Sequence, residues 1–376
     1  MEHYDVLVIG CGAMGSSTSY NLAKKGMKSL TLEQFDLNHP FGSSHGRTRI
    51  FRTAYYEDAR YVPLLKRARA LWEELQADSG RRILELTGGL MIGDQDSTLV
   101  LGASQSAKLH GLDHEVLSAS EAMSRFPAFK LGEELTALYE PAAGVLFPEE
   151  CITAFVSLAQ GRGAEFSFNE TVVGWHKEAG GLRVQTSKGS YLADKVVVAA
   201  GAWAAKLLPG TLDLSCERQV PFWFRPKTGG SHSSHSMPIF ILQEGRHMYY
   251  GIPDFGDGVK AAVHHEGRIG DVEAMERMVT PEDETPVVDF VRRHLPGVEE
   301  RPISSTTCVY TNTRDENFVI DDVSSNEDVL LVSACSGHGF KFSSAIGEAV
   351  AELVSSGRTT QDIGFLKLGR FAPSRS

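Results

Sequence analysis

The chain opens with short apolar runs on either side of a segment of small residues. An apolar run covers residues 5–9, a glycine-rich turn covers 10–15, small side chains continue to Lys25, and a second apolar run covers 30–33. A short apolar run that ends in glycine is typical of a buried strand, whereas the longer small-residue stretch favours a helix. The pattern therefore predicts a strand–helix–strand unit at the start of the chain.

Later apolar positions predict further strands and helices in alternation. Residues 61–75 carry apolar side chains at helical spacing, which predicts a helix with one buried face. The other predicted strands are 88–92, 182–186, 195–200, 248–252, 258–264, 305–310 and 329–333, and the other helices are 151–160, 286–294 and one that ends near 353. Without an internal repeat, this order predicts an α/β fold of two domains, in which a sheet domain interrupts the opening unit and both ends of the chain complete it.

Composition and charge exclude several classes of function. The chain has 376 residues, 42% of them hydrophobic, which is enough for one large or two interleaved domains. A net charge of -11 disfavours nucleic acid and anionic membranes as partners, because both attract clustered basic residues. Five cysteines without a C-x-x-C pair disfavour a disulfide framework or a zinc cluster. With no signal-like or membrane-length apolar segment, we expect a cytoplasmic protein.

The glycine turn carries the first chemical signal. Gly10, Gly12 and Gly15 have the spacing G-x-G-x-x-G, which lets the backbone approach a pyrophosphate at a helix N-terminus. Glu33 stands 18 residues after Gly15, where a carboxylate can accept hydrogen bonds from ribose hydroxyls. This context favours a dinucleotide site over a tight turn without a ligand. It does not distinguish NAD from FAD.

A basic loop follows in an otherwise acidic chain. His45, Arg47, Arg49 and Arg52 lie within eight residues of one another. If this turn is helical, Arg49 and Arg52 share one face and suit a carboxylate ligand or an electron-rich cofactor edge. The composition alone also fits a solvated basic loop.

A second glycine-rich loop precedes the last predicted helix. Gly337, His338 and Gly339 lie between the apolar run 329–333 and Lys341. Such a loop presents free backbone amides and the positive end of the helix dipole to a developing negative charge. A lysine is unfavourable at a helix N-terminus, which suggests that Lys341 serves a ligand, with an exposed surface lysine as the alternative.

Three other positions remain ambiguous on sequence alone. Cys308 lies in a strand-like run and is most simply a small buried hydrophobe. Lys260 and His264 point to one face if their run is a strand, and a solvated face is the default interpretation. His232 and His235 lack a third ligand nearby, so we expect a polar loop there and no metal site.

Six motifs together resemble the monomeric sarcosine oxidase family, with N-methyltryptophan and pipecolate oxidases, in order from residue 4 to about 365. They are Gly10-Cys-Gly-Ala-Met-Gly15, Ser44-His-Gly-Arg-Thr-Arg49-Ile-Phe-Arg52, Tyr249-Tyr-Gly, Lys260 with His264, Thr307-Cys308-Val-Tyr-Thr311, and Ser336-Gly-His-Gly-Phe-Lys-Phe-Ser-Ser344. The resemblance implies a Rossmann-like FAD-binding domain of the glutathione reductase type, interleaved with a substrate domain on a mixed or antiparallel sheet. It places the FAD-binding domain at 1–85, 145–215 and 320–376, and the substrate domain at 86–144 and 216–319.

The resemblance also implies roles at the flavin. Cys308 is expected to bond covalently to the flavin 8-methyl carbon, and Lys260 to promote the reaction with dioxygen because a fixed ammonium stabilises superoxide. Arg49 matches a basic group beside the flavin ring. The residues expected to bind FAD are Gly10, Gly12, Ala13, Met14, Gly15, Glu33, Ser43, Ser44, His45, Arg49, Val172, Gly201, Trp203, Cys308, Gly337, His338, Gly339 and Lys341.

On the substrate side, Arg52 and Lys341 match a carboxylate clamp, and His264 and Tyr249 match the walls of the cavity. The implied activity is oxidation of the C–N bond of a small secondary-amine amino acid by dioxygen, giving an imine that hydrolyses, and hydrogen peroxide. Candidate substrates are sarcosine, other N-methyl amino acids, pipecolate and proline. We expect a monomer whose partners are this substrate and dioxygen.

Departures from the family pattern leave the substrate open. Arg47 stands where relatives that demethylate sarcosine or N-methyltryptophan usually carry an acid, and Thr53 stands where they carry histidine. The segment Tyr56-Glu57-Asp58 is closer to the pipecolate branch. Alternatives are a related oxidase of a glycated or larger amine, an NAD-linked dehydrogenase, and a flavin-binding protein without catalysis.

Overall fold

A computed structural model describes residues 2–227, 230–323, 326–333 and 335–371 of the chain. In these ranges helices and strands alternate, as the sequence predicts. The α-helices are α1 (Ala13–Lys24), α2 (Val62–Ser79), α3 (Thr98–His110), α4 (Ala119–Arg125), α5 (Pro148–Gln160), α6 (Ala204–Leu207), α7 (Pro281–His294) and α8 (Ser343–Ser356).

The strands of the described ranges belong to two large and two small sheets. In chain order they are β1 (His3–Ile9), β2 (Ser29–Leu32), β3 (Arg49–Phe51), β4 (Leu84–Leu86), β5 (Gly89–Asp94), β6 (Glu115–Ser118), β7 (Leu135–Glu140), β8 (Gly144–Leu146), β9 (Glu165–Ser167), β10 (Val172–Glu178), β11 (Gly181–Thr186), β12 (Ser190–Val198), β13 (Ser215–Gln219), β14 (Phe222–Pro226), β15 (Ile239–Glu244), β16 (His247–Ile252), β17 (Val259–Val263), β18 (Ile269–Gly270), β19 (Val298–Ser305), β20 (Cys308–Asn312), β21 (Val319–Val323) and β22 (Asn326–Ser333).

The first large sheet contains the predicted strand–helix–strand unit. Its order is β10-β11-β12-β1-β2-β9, with β22 beside β12 and β21 beside β22. β1 pairs in parallel with β2 and with β12, and β12 pairs in parallel with β22. The carboxyl ends of these strands meet at one edge because Ile9 lies opposite both Leu32 and Val198. Ligands of open α/β sheets bind outside this edge.

The second large sheet is mostly antiparallel. Its order is β19-β14-β17-β16-β15-β5-β7-β6, and the pair β15 and β5 is parallel. The two small sheets have the orders β18-β13-β20 and β3-β8-β4. Separate clusters of buried apolar side chains pack around α1, α2, α5 and α8 and between the second large sheet and α7. No helix in the described ranges is long and apolar enough to cross a membrane.

Three elements differ from the sequence prediction. The segment at Arg49 is not helical but forms β3, because its backbone pairs with β8. The predicted strand 305–310 is divided into β19 and β20, which join different sheets. Helix α7 begins at Pro281, earlier than predicted, because Thr280 and Asp283 form a capping box at its N-terminus.

Candidate active site

A cavity of about 450 Å³ begins at the carboxyl edge of the first large sheet and extends to strands of the second. Its size is in the range typical of small-molecule sites. The residues predicted from the sequence that line it are Gly10, Gly12, Ala13, Met14, Glu33, Ser43, Ser44, His45, Arg49, Arg52, Val172, Gly201, Trp203, Lys260, His264, Cys308, Gly337, His338, Gly339 and Lys341.

The glycine turn has the close backbone packing that a dinucleotide site needs. Gly10 has a φ of +98°, and a Cβ there would lie 2.5 Å from the Ala199 carbonyl oxygen. Gly15 lies outside the lining of the cavity, and its contact with the cofactor stays a prediction. A Cβ on Gly15 would lie 1.8 Å from the carbonyl oxygen of Gly10, so this glycine is needed for packing of α1 against the turn.

Glu33 lies directly after β2 with its carboxylate fixed at the cavity. The backbone amide of Cys11 donates to Glu33 Oε2 at 2.8 Å, and the amide of Phe35 donates to Oε1 at 3.0 Å. Burial raises the pKa of Glu33, although these two amides oppose the shift. His39, which sequence analysis did not select, also lines the cavity, with Nε2 at 3.7 Å from Glu33 Oε1.

Several buried polar atoms of the cavity lining lack a partner. Asn38 Oδ1, His45 Nε2, Thr48 Oγ1 and Glu57 Oε2 form no hydrogen bond with any described residue. Since nearly all buried polar atoms in folded proteins are paired, these four suit a ligand that is itself rich in donors and acceptors.

Arg49 and Cys308 meet on one side of the cavity. Arg49 Nη2 donates to the carbonyl oxygen of Ser43 at 2.8 Å and lies 3.5 Å from Cys308 Sγ. Cys308 is 7% exposed, so the prediction of a buried side chain is confirmed. The thiol nevertheless faces the cavity and a guanidinium, which an ordinary core cysteine does not.

Lys260 and His264 lie on the same face of β17 and its end, and both line the cavity. Lys260 is 2% exposed, so the solvated-face interpretation is wrong. Its Nζ donates to the carbonyl oxygens of Gly46 and Thr48, each at 2.9 Å. Burial, and secondarily the charge of Arg49, lower the pKa of Lys260 well below the usual range of lysine.

Arg52 is held by four neighbours in the wall of the cavity. Its guanidinium packs on the rings of Tyr55 and Tyr56, at 4.5 and 4.7 Å from their centroids. Arg52 Nη2 donates to Glu57 Oε1 at 2.5 Å, and Nη1 donates to the Ala54 carbonyl oxygen at 3.3 Å. The Arg52 side chain is 3% exposed, so it does not belong to a solvated basic loop.

Lys341 approaches the same region from the loop before α8. It is buried, and its Nζ donates to the His338 carbonyl oxygen at 2.5 Å. Burial, then the charge of Arg52, lower the pKa of Lys341 to about 7. The exposed-lysine alternative is therefore wrong, and two basic side chains from distant parts of the sequence share one buried site.

The chain matches the family described as FAD dependent oxidoreductase over residues 5–353. It belongs to this family. Monomeric sarcosine oxidase of Streptomyces avermitilis is 39% identical over 98% of each chain, and that of Bacillus sp. strain B-0618 is 37% identical over 100% of this chain and 98% of its own. N-methyl-L-tryptophan oxidase of Yersinia pestis is 34% identical over 98% of this chain and 99% of its own. The resemblance drawn from the motifs is thereby confirmed.

Solved structures show the same fold. NikD, an amino acid oxidase of nikkomycin biosynthesis, superposes in its open form with a TM-score of 0.87 at 25% identity over 98% of both chains. L-Proline dehydrogenase from P. horikoshii superposes with a TM-score of 0.83 at 23% identity over 98% of both chains. The expected α/β fold of the FAD-dependent amino acid oxidases is confirmed.

The glycine turn alone did not distinguish NAD from FAD, and membership of this family indicates FAD. The glycine turn and the N-terminus of α1 line the cavity and would suit a pyrophosphate, and Glu33 would suit a ribose. The unpaired atoms of Asn38, His45 and Thr48 fit a cofactor with many polar groups. The residues present therefore fit FAD.

The expectation that Tyr249 forms a wall of the cavity is wrong. Its ring lies outside the cavity and stacks on Phe290 at 4.3 Å between centroids, whereas Tyr250 lines the cavity. Side chains alternate along a strand, so only one of two neighbouring tyrosines can face the site. Tyr250 lies opposite Ala262 in β17, between Lys260 and His264, and hence on their face.

Other residues of the cavity were not predicted from the sequence. Glu57 and Tyr56 appeared only as a departure from the family pattern, yet both line the cavity beside Arg52. Tyr310 appeared only within the Cys308 motif, and its hydroxyl lies 3.1 Å from His264 Nδ1. The sequence did contain a signal for Tyr310, because residues two apart in a strand point to the same face and Tyr310 is two positions after Cys308.

His232 is buried, and no three potential ligands in the described ranges could hold a metal ion.

Proposed function

We propose that the chain oxidises the C–N bond of a small secondary-amine amino acid with dioxygen. The product is an imine, which water hydrolyses, and dioxygen is reduced to hydrogen peroxide. The main support for this proposal is that Arg52, Lys341 and Lys260 are all buried around one cavity. The names of the most similar relatives, which act on sarcosine and N-methyl-L-tryptophan, support the same substrate class.

Each basic residue has a separate task in this proposal. Arg52 and Lys341 bind the carboxylate of the substrate and so fix the position of its amine. His264 and Tyr250 form walls of the substrate region. Bound FAD supplies the chemistry, since it can accept a hydride equivalent from the carbon beside the amine nitrogen and pass two electrons to dioxygen. Lys260 places a positive charge where dioxygen becomes negative.

The tandem of Arg52 and Lys341 makes carboxylate binding depend on pH. Lys341 is charged below its pKa of about 7 and neutral above it. Acetate should therefore inhibit competitively at low pH, and its inhibition constant should rise about tenfold as the pH rises past 7. Acetate has no amine, which removes substrate protonation from the measurement. Lys341→Met should bind acetate weakly with little pH dependence. A wild-type inhibition constant that stays constant across this range would exclude Lys341 from the clamp.

We further propose that FAD is bonded through the Cys308 sulfur. The thiol faces the cavity, and its sulfur lies 3.5 Å from Arg49 Nη2. Cys308→Ala should bind flavin that is released on acid precipitation, whereas wild-type flavin should remain in the pellet. Cys216→Ala is the matched control, since that cysteine is equally buried but outside the cavity lining. Yellow pellets from Cys308→Ala would place the attachment elsewhere.

The FAD-binding domain in this proposal consists of 1–85, 145–215 and 320–376, and the substrate domain of 86–144 and 216–319. The membership of the two large sheets supports this division, because β1, β2, β9–β12, β21 and β22 form one and β5–β7, β14–β17 and β19 form the other. A monomeric state is supported by the names of the sarcosine oxidase relatives.

The alternative substrate class is a glycated or larger amine. Tyr55 and Tyr56 both pack against Arg52, which limits the room beside the carboxylate clamp and favours a small substrate. Peroxide release from sarcosine, L-pipecolate, L-proline, N-methyl-L-tryptophan and fructosyl-glycine tests the choice. Turnover of fructosyl-glycine above all the others would overturn the small-substrate proposal.

A further inference from the structure

The turn after β17 has an unusual backbone. His264 lines the cavity, and the next two residues, His265 and Glu266, have φ angles of +61° and +67°. Two consecutive residues other than glycine in this region are uncommon and persist only where neighbouring contacts hold them. Gly267 completes the turn, where a Cβ would lie 1.8 Å from the Arg218 carbonyl oxygen.

The carboxylate of Glu217, in β13, holds this turn. Glu217 is 5% exposed. Its Oε1 accepts hydrogen bonds from the backbone amide of Gly267 at 2.7 Å and from Gln219 Nε2 at 2.8 Å. Its Oε2 accepts from Asn312 Nδ2 at 2.7 Å and pairs with His265 Nδ1 at 2.9 Å. Both oxygens are thus used, and the imidazole of His265 is fixed in orientation.

The fixed imidazole of His265 packs directly behind two residues of the cavity wall. Its ring centroid lies 4.4 Å from that of His264 and 5.2 Å from that of Tyr310. His264 Nδ1 in turn lies 3.1 Å from the Tyr310 hydroxyl. A continuous set of contacts therefore leads from a buried carboxylate to the substrate side of the cavity.

We propose that Glu217 and His265 are positioning residues that hold His264 against Tyr310 and keep the His264 ring uncharged. This proposal rests on the proposed function for its effect on catalysis. An uncharged His264 leaves Arg52 and Lys341 as the cations of the substrate region, so that a carboxylate is drawn to the clamp and not to the opposite wall.

The charges around the two histidines support this arrangement. Burial acts to lower the pKa of His265, but the hydrogen bond and charge of Glu217 outweigh it and raise the pKa, with smaller contributions from Glu316 and Glu57. Burial lowers the pKa of His264 well below the usual range of histidine, and His265 is the next cause.

Other groups act on His264 in the same direction. His338, Arg52 and Lys341 all face it and disfavour a positive charge on its ring. The Tyr310 hydroxyl is neutral, since burial raises its pKa well above the usual range of tyrosine. The contribution of His265 can therefore be isolated only by changing His265 or its partner.

The test uses Glu217→Gln and His265→Asn in the holoenzyme. Glutamine keeps an oxygen for the Gly267 amide but loses the charge, and asparagine tolerates positive φ better than most residues. With sarcosine or the best substrate of the panel, and after correction of kcat/KM for ionisation of the substrate amine, the acidic limb should move up by about one pH unit in either variant, because His264 then accepts a proton more readily. The double variant should show no further shift, because both changes remove the same effect.

His247→Gln is the matched control. His247 pairs with Glu266 at 2.7 Å on the exposed side of the same turn and lies outside the cavity lining, so this variant should leave the acidic limb in place. A uniform loss of activity in Glu217→Gln and His265→Asn, without movement of the limb, would overturn the proposal in favour of a purely structural turn.

A second readout does not require turnover. Histidine ring signals of ¹⁵N-labelled holoenzyme, with the His264 signal assigned by its loss in His264→Gln, should titrate at higher pH in Glu217→Gln than in the wild type. An unchanged His264 titration would overturn the proposal even if the enzyme is active. A shifted titration in a protein that oxidises none of the panel amines would sustain the pairing while refuting the proposed function.

Discussion

Lys260→Met should slow the reoxidation of reduced flavin by dioxygen about 100-fold, while anaerobic reduction by the amine changes much less. Methionine has nearly the volume of lysine but no charge to stabilise superoxide. The ammonium is well placed for this role because the carbonyl oxygens of Gly46 and Thr48 hold its Nζ within the cavity wall. Stopped-flow measurement of the two half-reactions separates the effects.

Lys206→Met is the matched control for this prediction. Lys206 also lines the cavity, but its side chain is 41% exposed and its ammonium is paired with Asp271 and Glu273. Its replacement should leave both half-reactions near the wild-type rates. Equal slowing of reduction and reoxidation in Lys260→Met would refute the assigned role.

The pH dependence of reoxidation gives an independent check on Lys260. Because burial and Arg49 lower the pKa of Lys260, its charge is lost at lower pH than for an ordinary lysine. Wild-type reoxidation should therefore slow as the pH rises through this lowered pKa. The Lys260→Met variant should lack this decline.

Arg52→Ala should raise the KM for sarcosine on the order of 10- to 100-fold, the loss expected for one hydrogen bond between charged groups. N-Methylglycinamide, which lacks the carboxylate, should show little change in KM. Because Glu57 loses its buried partner in this variant, flavin content and thermal unfolding must be compared with the wild type. An unchanged KM for sarcosine in a folded, flavin-loaded variant would move the clamp elsewhere.

Glu57→Gln should change the KM for sarcosine in the opposite direction. In the structure Glu57 occupies Arg52 Nη2, so a substrate carboxylate competes with an internal one. The neutral amide competes less, and the KM for sarcosine should fall relative to the wild type. A rise in KM as large as that of Arg52→Ala would show that Glu57 orients Arg52 for the substrate.

The fold and the cofactor end of the site could be predicted because their signals are local. Gly10, Gly12 and Gly15 lie within six residues, and Glu33 ends the next strand, so strand and helix periodicity places them together. Even there, the structure gives the three glycines different environments, which the sequence pattern does not show. Gly15 packs against Gly10 and does not reach the cavity.

The proposed substrate end of the site was harder to predict from the sequence, because its residues meet through long-range strand pairing. Arg49 lies in an extended strand only because β8, nearly a hundred residues later, pairs with it. Whether Tyr249 or Tyr250 faces the site depends on the register between β16 and β17, which the sequence does not state. The contact of Glu217 with His265 likewise follows from the turn after β17 meeting β13.

The most direct measurement is the visible spectrum of the purified protein, recorded without oxygen before and after mixing with sarcosine, L-pipecolate, L-proline or N-methyl-L-tryptophan, and again after admission of air. We expect a yellow protein that at least one of these amines bleaches, and whose colour returns in air with release of hydrogen peroxide. A yellow protein that none of them bleaches, or a colourless protein, would contradict flavin-dependent oxidation of a secondary-amine amino acid.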